Sequence, residues 1–426
     1  MTKLYQLFQK SSGVSIDTRS LKGEELFFCL KGENFNGNKF AQQAIDDGAS
    51  FVVMDDKNYY SDHENMILVD DSLKTLQLLA KHHRAQFEIP VIGITGSNGK
   101  TTTKELIYAV LKSQFPTLAT AGNFNNHIGV PLTLLGLNSK HQLAIIEMGA
   151  NHPGEIAELC EISQPNYGII TNIGKAHLEG FGNYETIIKT KTALYDTVAK
   201  NKGILFVNAD DSILVQESFA IIKETYSITK PSPTQLTVEK EELNLCFSWN
   251  NNSIRTQLIG QYNAHNAAAA IAIGSHFKVS TENTIKALQD YTPSNNRSQL
   301  IIGKNNQLIM DAYNANPSSM AAALENFSLS KAPNKAVVLG DMLELGSFEE
   351  EEHHNILQRL QKLKLPQNFL VGSAFYKFKE SFPDFVFFKD QQEAKNYFFD
   401  HGLQHFQILV KGSRGIRLEQ IQEELN

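Results

Sequence analysis

The sequence predicts a three-domain α/β protein, and three observations lead there. Its 426 residues exceed one ordinary domain and suit about three. Short apolar runs of strand length alternate with helical patterns along the chain. Two stretches break that rhythm: Glu88-Ile89-Pro90, where the residue before proline is pushed out of helix, and YTPSNNRS at 291–298. Domains are accordingly expected at 1–87, 88–294 and 295–426.

In the first unit ELFFCL, SFVVMD and MILVD read as strands, and FAQQAIDDGA and LKTLQLLAKHHRAQF as helices. The second opens on VIGIT and continues through LAIIEM and YGIITNI, each followed by a loop and a helical pattern. Apolar strands alternating with helices predict a parallel sheet covered on both faces. From about 204 the shorter runs ILFVN, NLCFSW and IRTQLIG predict antiparallel strands beside that sheet, ahead of the Ala-rich helix YNAHNAAAAIAIGSHF. In the third unit QLIMDA, KAVVLGD and FQILVKG read as strands, with SSMAAALENF and IRLEQIQEEL as helices, a Rossmann-like pattern.

Hydrophobic residues at 42% and charged residues at 20% support large cores and exclude disorder. A net charge of −7, with no dense Lys/Arg window, predicts no nucleic-acid partner. Cys29, Cys160 and Cys246 show no CxxC spacing, so neither a disulfide framework nor a zinc site is expected. The N-terminal stretch lacks the apolar core of a signal peptide, and no run approaches the ~18 apolar residues that span a membrane. A cytoplasmic location is expected.

The stretch VIGITGSNGKTTTKEL departs from the common P-loop, G-x-x-x-x-G-K-[ST]: Ile94 stands where that pattern has glycine, and the glycines are at 93, 96 and 99. Its context is still strand, turn and helix. Backbone N–H groups of Gly96, Ser97, Asn98 and Gly99, with the helix start at Lys100-Thr101-Thr102, would form an anion site. Lys100 would neutralise phosphate charge, and Thr101 would place a hydroxyl on Mg²⁺. Glu147 ends the strand LAIIEM at the sheet edge where ligands gather, and suits a hard cation. His177 follows YGIITNI at the same edge, although a lone histidine is often structural and Mg²⁺ prefers oxygen. Lys191 falls on the apolar stripe Tyr184, Ile187, Ile188, Leu194, Tyr195 and Val198, while Lys189 points away. It is either a snorkelling lysine or a desolvated amine able to add CO₂ as a carbamate. Asn263 and Asn266 would cap a helix or pair with adenine. Asp311 is placed for a ribose hydroxyl, and Arg297 for a γ-phosphate or for the open surface.

Five stretches in this order, TGSNGKTTTKE, IIEMGANHPGEI, TNIGKAHLEGFG, DAYNANPSSM and VLGDMLELGSFEEEEH, resemble the Mur ligase family. SIDTRSLKGEELFFCLKGENFNGNKFAQQAIDDGA resembles its uridine-nucleotide domain and LVKGSRGIRLEQI its C-terminal end, so the likeness covers essentially the whole chain. The glycine spacing around Lys100 is that family's own variant.

The resemblance implies a UDP-sugar-binding domain, a P-loop ATPase domain and a C-terminal ligase domain, acting as a monomer in peptidoglycan precursor synthesis. It implies ATP-driven joining of D-alanyl-D-alanine to UDP-MurNAc-tripeptide through an acyl phosphate. The alternative is a member adding one amino acid to UDP-MurNAc-dipeptide. Against it, the D-N-P-R run of a diaminopimelate-specific enzyme is absent from 311–317. By the same resemblance Lys100, His177, Lys191 and Arg297 are catalytic. Thr101 and Glu147 hold a first Mg²⁺, and His177 and a carbamylated Lys191 a second. Asn266 meets adenine, Asp311 the ribose, and Asp17, Thr18 and Arg19 the uridine nucleotide; Asn314 and Asn316 meet substrate. Thr18 replaces the commoner serine, Tyr262 the usual histidine, and Asn36 and Asn38 the common Asp and His.

Overall fold

The computed structural model describes residues 1–174, 176–239, 243–294 and 296–426. Lys175, in the TNIGKAHLEGFG motif, and Asn295, at the expected second boundary, lie outside the described residues.

Seven parallel strands form the central sheet, in the spatial order 234–235, 223–227, 204–208, 167–170, 91–95, 143–147 and 117–119. Side chains of successive residues point to opposite faces. Val91, Ala144, Ile146 and Ile170 therefore meet one layer, with Leu159, Leu194 and Val198. Ile92, Ile94, Ile145 and Ile169 meet the other, with Leu106, Val110 and Ile271. Both faces are dry, which is why the strands read as unbroken apolar runs.

One expectation is corrected here. The run ILFVN forms the strand Ile204–Asn208 inside the parallel sheet, between Tyr167–Ile170 and Lys223–Ser227. A short buried strand carries no mark of its direction, so its length suggested an antiparallel neighbour wrongly. The next two runs are antiparallel: Asn244–Trp249 pairs with Asn252–Ile259. Asn250 and Asn251 join them with φ of 48° and 60°, the left-handed pair that a tight hairpin needs.

The N-terminal unit is a four-stranded parallel sheet, 14–15, 26–28, 51–54 and 66–68. Its last helix, Ser72–Arg84, starts where the Asp71 carboxylate accepts from the Lys74 N–H at 2.8 Å. That helix docks on the central domain. Lys81 pairs with Glu161 at 2.6 Å, Arg84 Nε donates to the Ser163 carbonyl at 3.1 Å, and Leu76 and Leu79 share one apolar cluster with Leu134 and Leu159.

The third unit is a six-stranded sheet in the order 299–302, 307–311, 407–411, 335–340, 367–371 and 386–388, parallel except for its first strand. IRLEQIQEEL is not one helix. The left-handed backbone at Arg417, φ 59°, divides it into 3₁₀ turns and the short helix Gln422–Leu425. All three cysteines are free and buried, and no helix among the described residues is long and apolar enough to cross a membrane.

Candidate active site

Ile94 sits within the strand Val91–Thr95, opposite Glu147 on one side and Ile169 on the other. The strand thus runs through the position where a common P-loop already turns, and the turn is confined to 96–99. Gly96 has φ 147°, and a Cβ there would lie 1.9 Å from Thr171 Oγ1. Gly99, φ 79°, opens the helix Lys100–Lys112, which no side chain caps. The first-turn N–H groups of that helix are therefore available to an anion. The loop is braced from the strand beside it. Ser97 N–H donates to the Asn172 carbonyl at 2.9 Å, Asn98 N–H to the Asn172 amide oxygen at 3.0 Å, and Thr171 Oγ1 to the Asn98 carbonyl at 2.6 Å. These two strands send their connections to opposite sides of the sheet, the switch point where such folds bind ligands.

Lys100 Nζ donates to the carbonyls of Gly96 (2.7 Å) and Ser97 (3.3 Å). Burial lowers its pKa from the ordinary lysine value; Glu147 opposes that shift and Arg297 adds to it.

Glu147 is fully buried. Its Oε1 accepts from Thr101 Oγ1 at 3.0 Å and Asn125 Nδ2 at 2.8 Å, whereas Oε2 has no hydrogen-bond partner. The buried Lys104 ammonium stands 3.9 Å from Oε2, beyond hydrogen-bond reach. A buried carboxylate oxygen that accepts no hydrogen bond suits a hard cation, and the adjacent Thr101 hydroxyl adds a second oxygen. No group of three His, Cys, Asp or Glu side chains among the described residues could hold an ion alone. Mg²⁺ is bound through one or two protein oxygens plus phosphates, and Thr101 and Glu147 offer two such oxygens. Asn125 was not anticipated: it lies in an irregular loop, where no periodicity marks it.

Lys191 lies in the helix Tyr184–Lys200, among buried Ile187, Leu194, Tyr195 and Val198, and is only 2% exposed. Its Nζ donates to the Gly96 carbonyl at 3.3 Å, so the tip points inward and the lysine does not snorkel. Burial, reinforced by Lys100, brings its pKa down to about 7. His177 lines the cavity in a left-handed conformation, φ 54°, with Nδ1 hydrogen-bonded to Glu344 of the third domain.

Lys100, Thr101, Glu147 and His177 line a cavity of about 700 Å³, whereas Lys191 lies behind its wall; the third domain contributes Arg297, Asp311, Tyr313, Asn314 and Asn316 to the lining. The Arg297 guanidinium stacks 3.6 Å from the centre of the Tyr313 ring. Asp311 Oδ2 accepts from buried Lys411 at 2.6 Å, a partner the sequence did not suggest. Asn316 caps the helix Pro317–Ser328 by accepting from Ser319 N–H at 2.9 Å. Its Nδ2 donates to Asn98 of the P-loop at 2.7 Å, and Asn98 Nδ2 donates to Ser318 at 3.1 Å, clasping the two domains. Asn314 Oδ1 accepts from Ala315 N–H at 2.9 Å. Asn266, on the cavity wall, accepts from Thr103 at 3.0 Å and donates to Asn263 at 2.8 Å. Asp17, Thr18 and Arg19 are not part of this lining. On the N-terminal domain Asp17 caps the 3₁₀ turn Thr18–Ser20 and pairs with the exposed Arg19 at 2.6 Å.

Known proteins match all three domains. Residues 10–84 match the model described as Mur ligase family, catalytic domain; 94–274 match the Mur ligase middle domain; 296–414 match the Mur ligase, glutamate ligase domain. The UDP-N-acetylmuramoyl-tripeptide--D-alanyl-D-alanine ligase of Bacillus subtilis is 36% identical, over 97% of this chain and 93% of its own. The Escherichia coli enzyme of that name is 32% identical, over 96% and 92%. Among solved structures, MurF from Acinetobacter baumannii superposes with a TM-score of 0.89 at 30% identity, covering 100% of this chain and 98% of that one. The MurF ligase of Thermotoga maritima in complex with ADP gives 0.86 at 25%, covering 98% and 97%. From its first domain to its last, the chain belongs to the Mur ligase family.

Proposed function

We propose that this chain joins D-alanyl-D-alanine to UDP-MurNAc-tripeptide, consuming ATP and releasing ADP and phosphate. One observation carries the reading. A phosphate-binding turn and a buried carboxylate, one of whose oxygens accepts no hydrogen bond, face Arg297 and Asp311 of another domain across one cleft. The names of the relatives supply the substrates.

A carboxylate resists nucleophiles, because its charge repels them and oxide cannot leave. Transfer of the γ-phosphoryl group from ATP to the terminal carboxylate gives an acyl phosphate and ADP. The dipeptide amine then attacks the carbonyl carbon, the amine proton is lost, and the C–O bond to phosphate breaks as the amide forms. Lys100, leaving the Gly96 and Ser97 carbonyls, and the free first-turn N–H groups hold the transferring phosphates. Arg297, braced on Tyr313, takes the γ-phosphate, and Asp311, oriented by Lys411, takes the ribose. Asn266 borders the adenine, Asn314 and Asn316 border the peptide side, and Asp17, Thr18 and Arg19 hold the uridine nucleotide on the docked N-terminal domain.

Thr101 and Glu147 would hold one Mg²⁺, and His177 with a carbamylated Lys191 a second; bound ions supply charge neutralisation at the phosphates. An amine with a pKa of about 7 keeps a lone pair for CO₂, forming an N–C bond and releasing a proton. The seated third domain limits water access to the acyl phosphate. The cleft is completed by one chain, in keeping with a monomer, and three buried free thiols agree with a cytoplasmic setting.

The test is ADP release with UDP-MurNAc-tripeptide, offering D-alanyl-D-alanine and then single amino acids. Turnover that requires the dipeptide is expected. Turnover instead with UDP-MurNAc-dipeptide and one amino acid would overturn the substrate assignment.

A further inference from the structure

His177 and Glu344 belong to different domains, yet their side chains are hydrogen-bonded through His177 Nδ1 and Glu344 Oε2. Both residues hold left-handed backbones, φ 54° and 63°, which non-glycine residues adopt at a cost. The loop that presents Glu344 is anchored just ahead of it. Asp341 accepts from the N–H groups of Ala374 (2.8 Å) and Phe375 (2.9 Å), and Leu343 N–H donates to Ser413 Oγ at 3.0 Å. Met342 and Leu345 are buried, while Leu343 and Glu344 between them are turned outward from a fixed base. At Gly346 an added Cβ would lie 3.4 Å from the Glu179 side chain, so the two loops meet beyond the one hydrogen bond. His177 Nε2 has no hydrogen-bond partner among the described residues, and the ring lines the main cavity.

We propose that Glu344 is a positioning residue for His177. Its carboxylate, delivered by the third domain, accepts the Nδ1–H hydrogen bond and leaves Nε2 as the lone pair offered to a ligand in the cleft. That ligand is Mg²⁺ in the function proposed above, on which this part of the inference rests. An outer carboxylate of this kind fixes the tautomer and the ring plane of a ligating histidine. Because the carboxylate arrives from another domain, the histidine is correctly presented only while the third domain is seated.

Histidine-selective ¹⁵N labelling of the full-length, metal-free protein tests this at alkaline pH, with His177→Ala identifying the signal. The native chain should show the Nδ1–H tautomer, and Glu344→Ala should move His177 towards Nε2–H. In turnover, Glu344→Ala should lower kcat on the order of 10–100-fold with little change in the KM for ATP. In a His177→Ala background the same change should add nothing. An unchanged tautomer in Glu344→Ala, or an equal loss in the His177→Ala background, would overturn the proposal. Absence of ligation by the native chain would strike the proposed function, while the tautomer would still decide the role of Glu344.

Discussion

Replacing Lys191 with methionine should abolish a pH dependence written into the core of the central domain. The amine is 2% exposed, and burial together with Lys100 brings its pKa from 10.5 to about 7. Between those values the unfolded chain binds more protons than the folded one. Stability therefore rises with pH through that window, and the full cost is borne below the lower value. Each unit corresponds to about 1.4 kcal/mol, so the native chain should gain about 2 kcal/mol between about pH 7 and pH 9. Methionine keeps much of the length and removes the charge, so Lys191→Met should lack this gain. Trp249, the only tryptophan, is buried in the antiparallel sheet beside the central one and reports urea unfolding of this domain by fluorescence. Buffers free of CO₂ and Mg²⁺ keep the amine unmodified. If native and variant chains change in parallel between the two pH values, Lys191 is not desolvated and the argument for its reactivity fails.

Gly96→Ala should destabilise the central domain by on the order of 2–4 kcal/mol, because its Cβ would fall 1.9 Å from Thr171 Oγ1; urea unfolding measures it. Glu147→Gln removes the charge from a carboxylate whose Oε2 accepts no hydrogen bond, so the Mg²⁺ concentration for half-maximal turnover should rise at least ~10-fold. Asn98→Ala and Asn316→Ala cut the same clasp. Their effects on kcat/KM for ATP should fall short of additive by about 0.5–3 kcal/mol in a double-mutant cycle, and strict additivity would count against the clasp.

The features legible in the sequence are those that local chemistry fixes. VIGIT announces a buried strand because a parallel sheet dries both faces, and Gly96-Ser97-Asn98-Gly99 announces its turn. The family's glycine spacing then has a plain cause: Ile94 is still packed in the strand, so the loop needs glycine only where Thr171 and the left-handed turn demand it. Lys191 was legible as a polar residue on an apolar stripe, but periodicity could not say whether its tip turned inward; the Gly96 carbonyl decides that. What stayed hidden depends on long-range contact. Asn125 reaches Glu147 from an irregular loop, Lys411 meets Asp311 across 100 residues, and Glu344 meets His177 across 167. Strand direction was equally hidden, since Ile204–Asn208 has the same composition in either sense. Asn316 was expected to contact substrate; its side chain is committed to capping and to Asn98.

The central claim is that ATP activates a carboxylate by phosphorylating it. The most direct measurement supplies UDP-MurNAc-tripeptide labelled with ¹⁸O in both oxygens of its terminal carboxylate, together with D-alanyl-D-alanine and ATP. Mass spectrometry of the released phosphate should find one labelled oxygen per phosphate, because the attacking carboxylate oxygen leaves with it. Phosphate free of label, formed alongside amide product, would contradict the account.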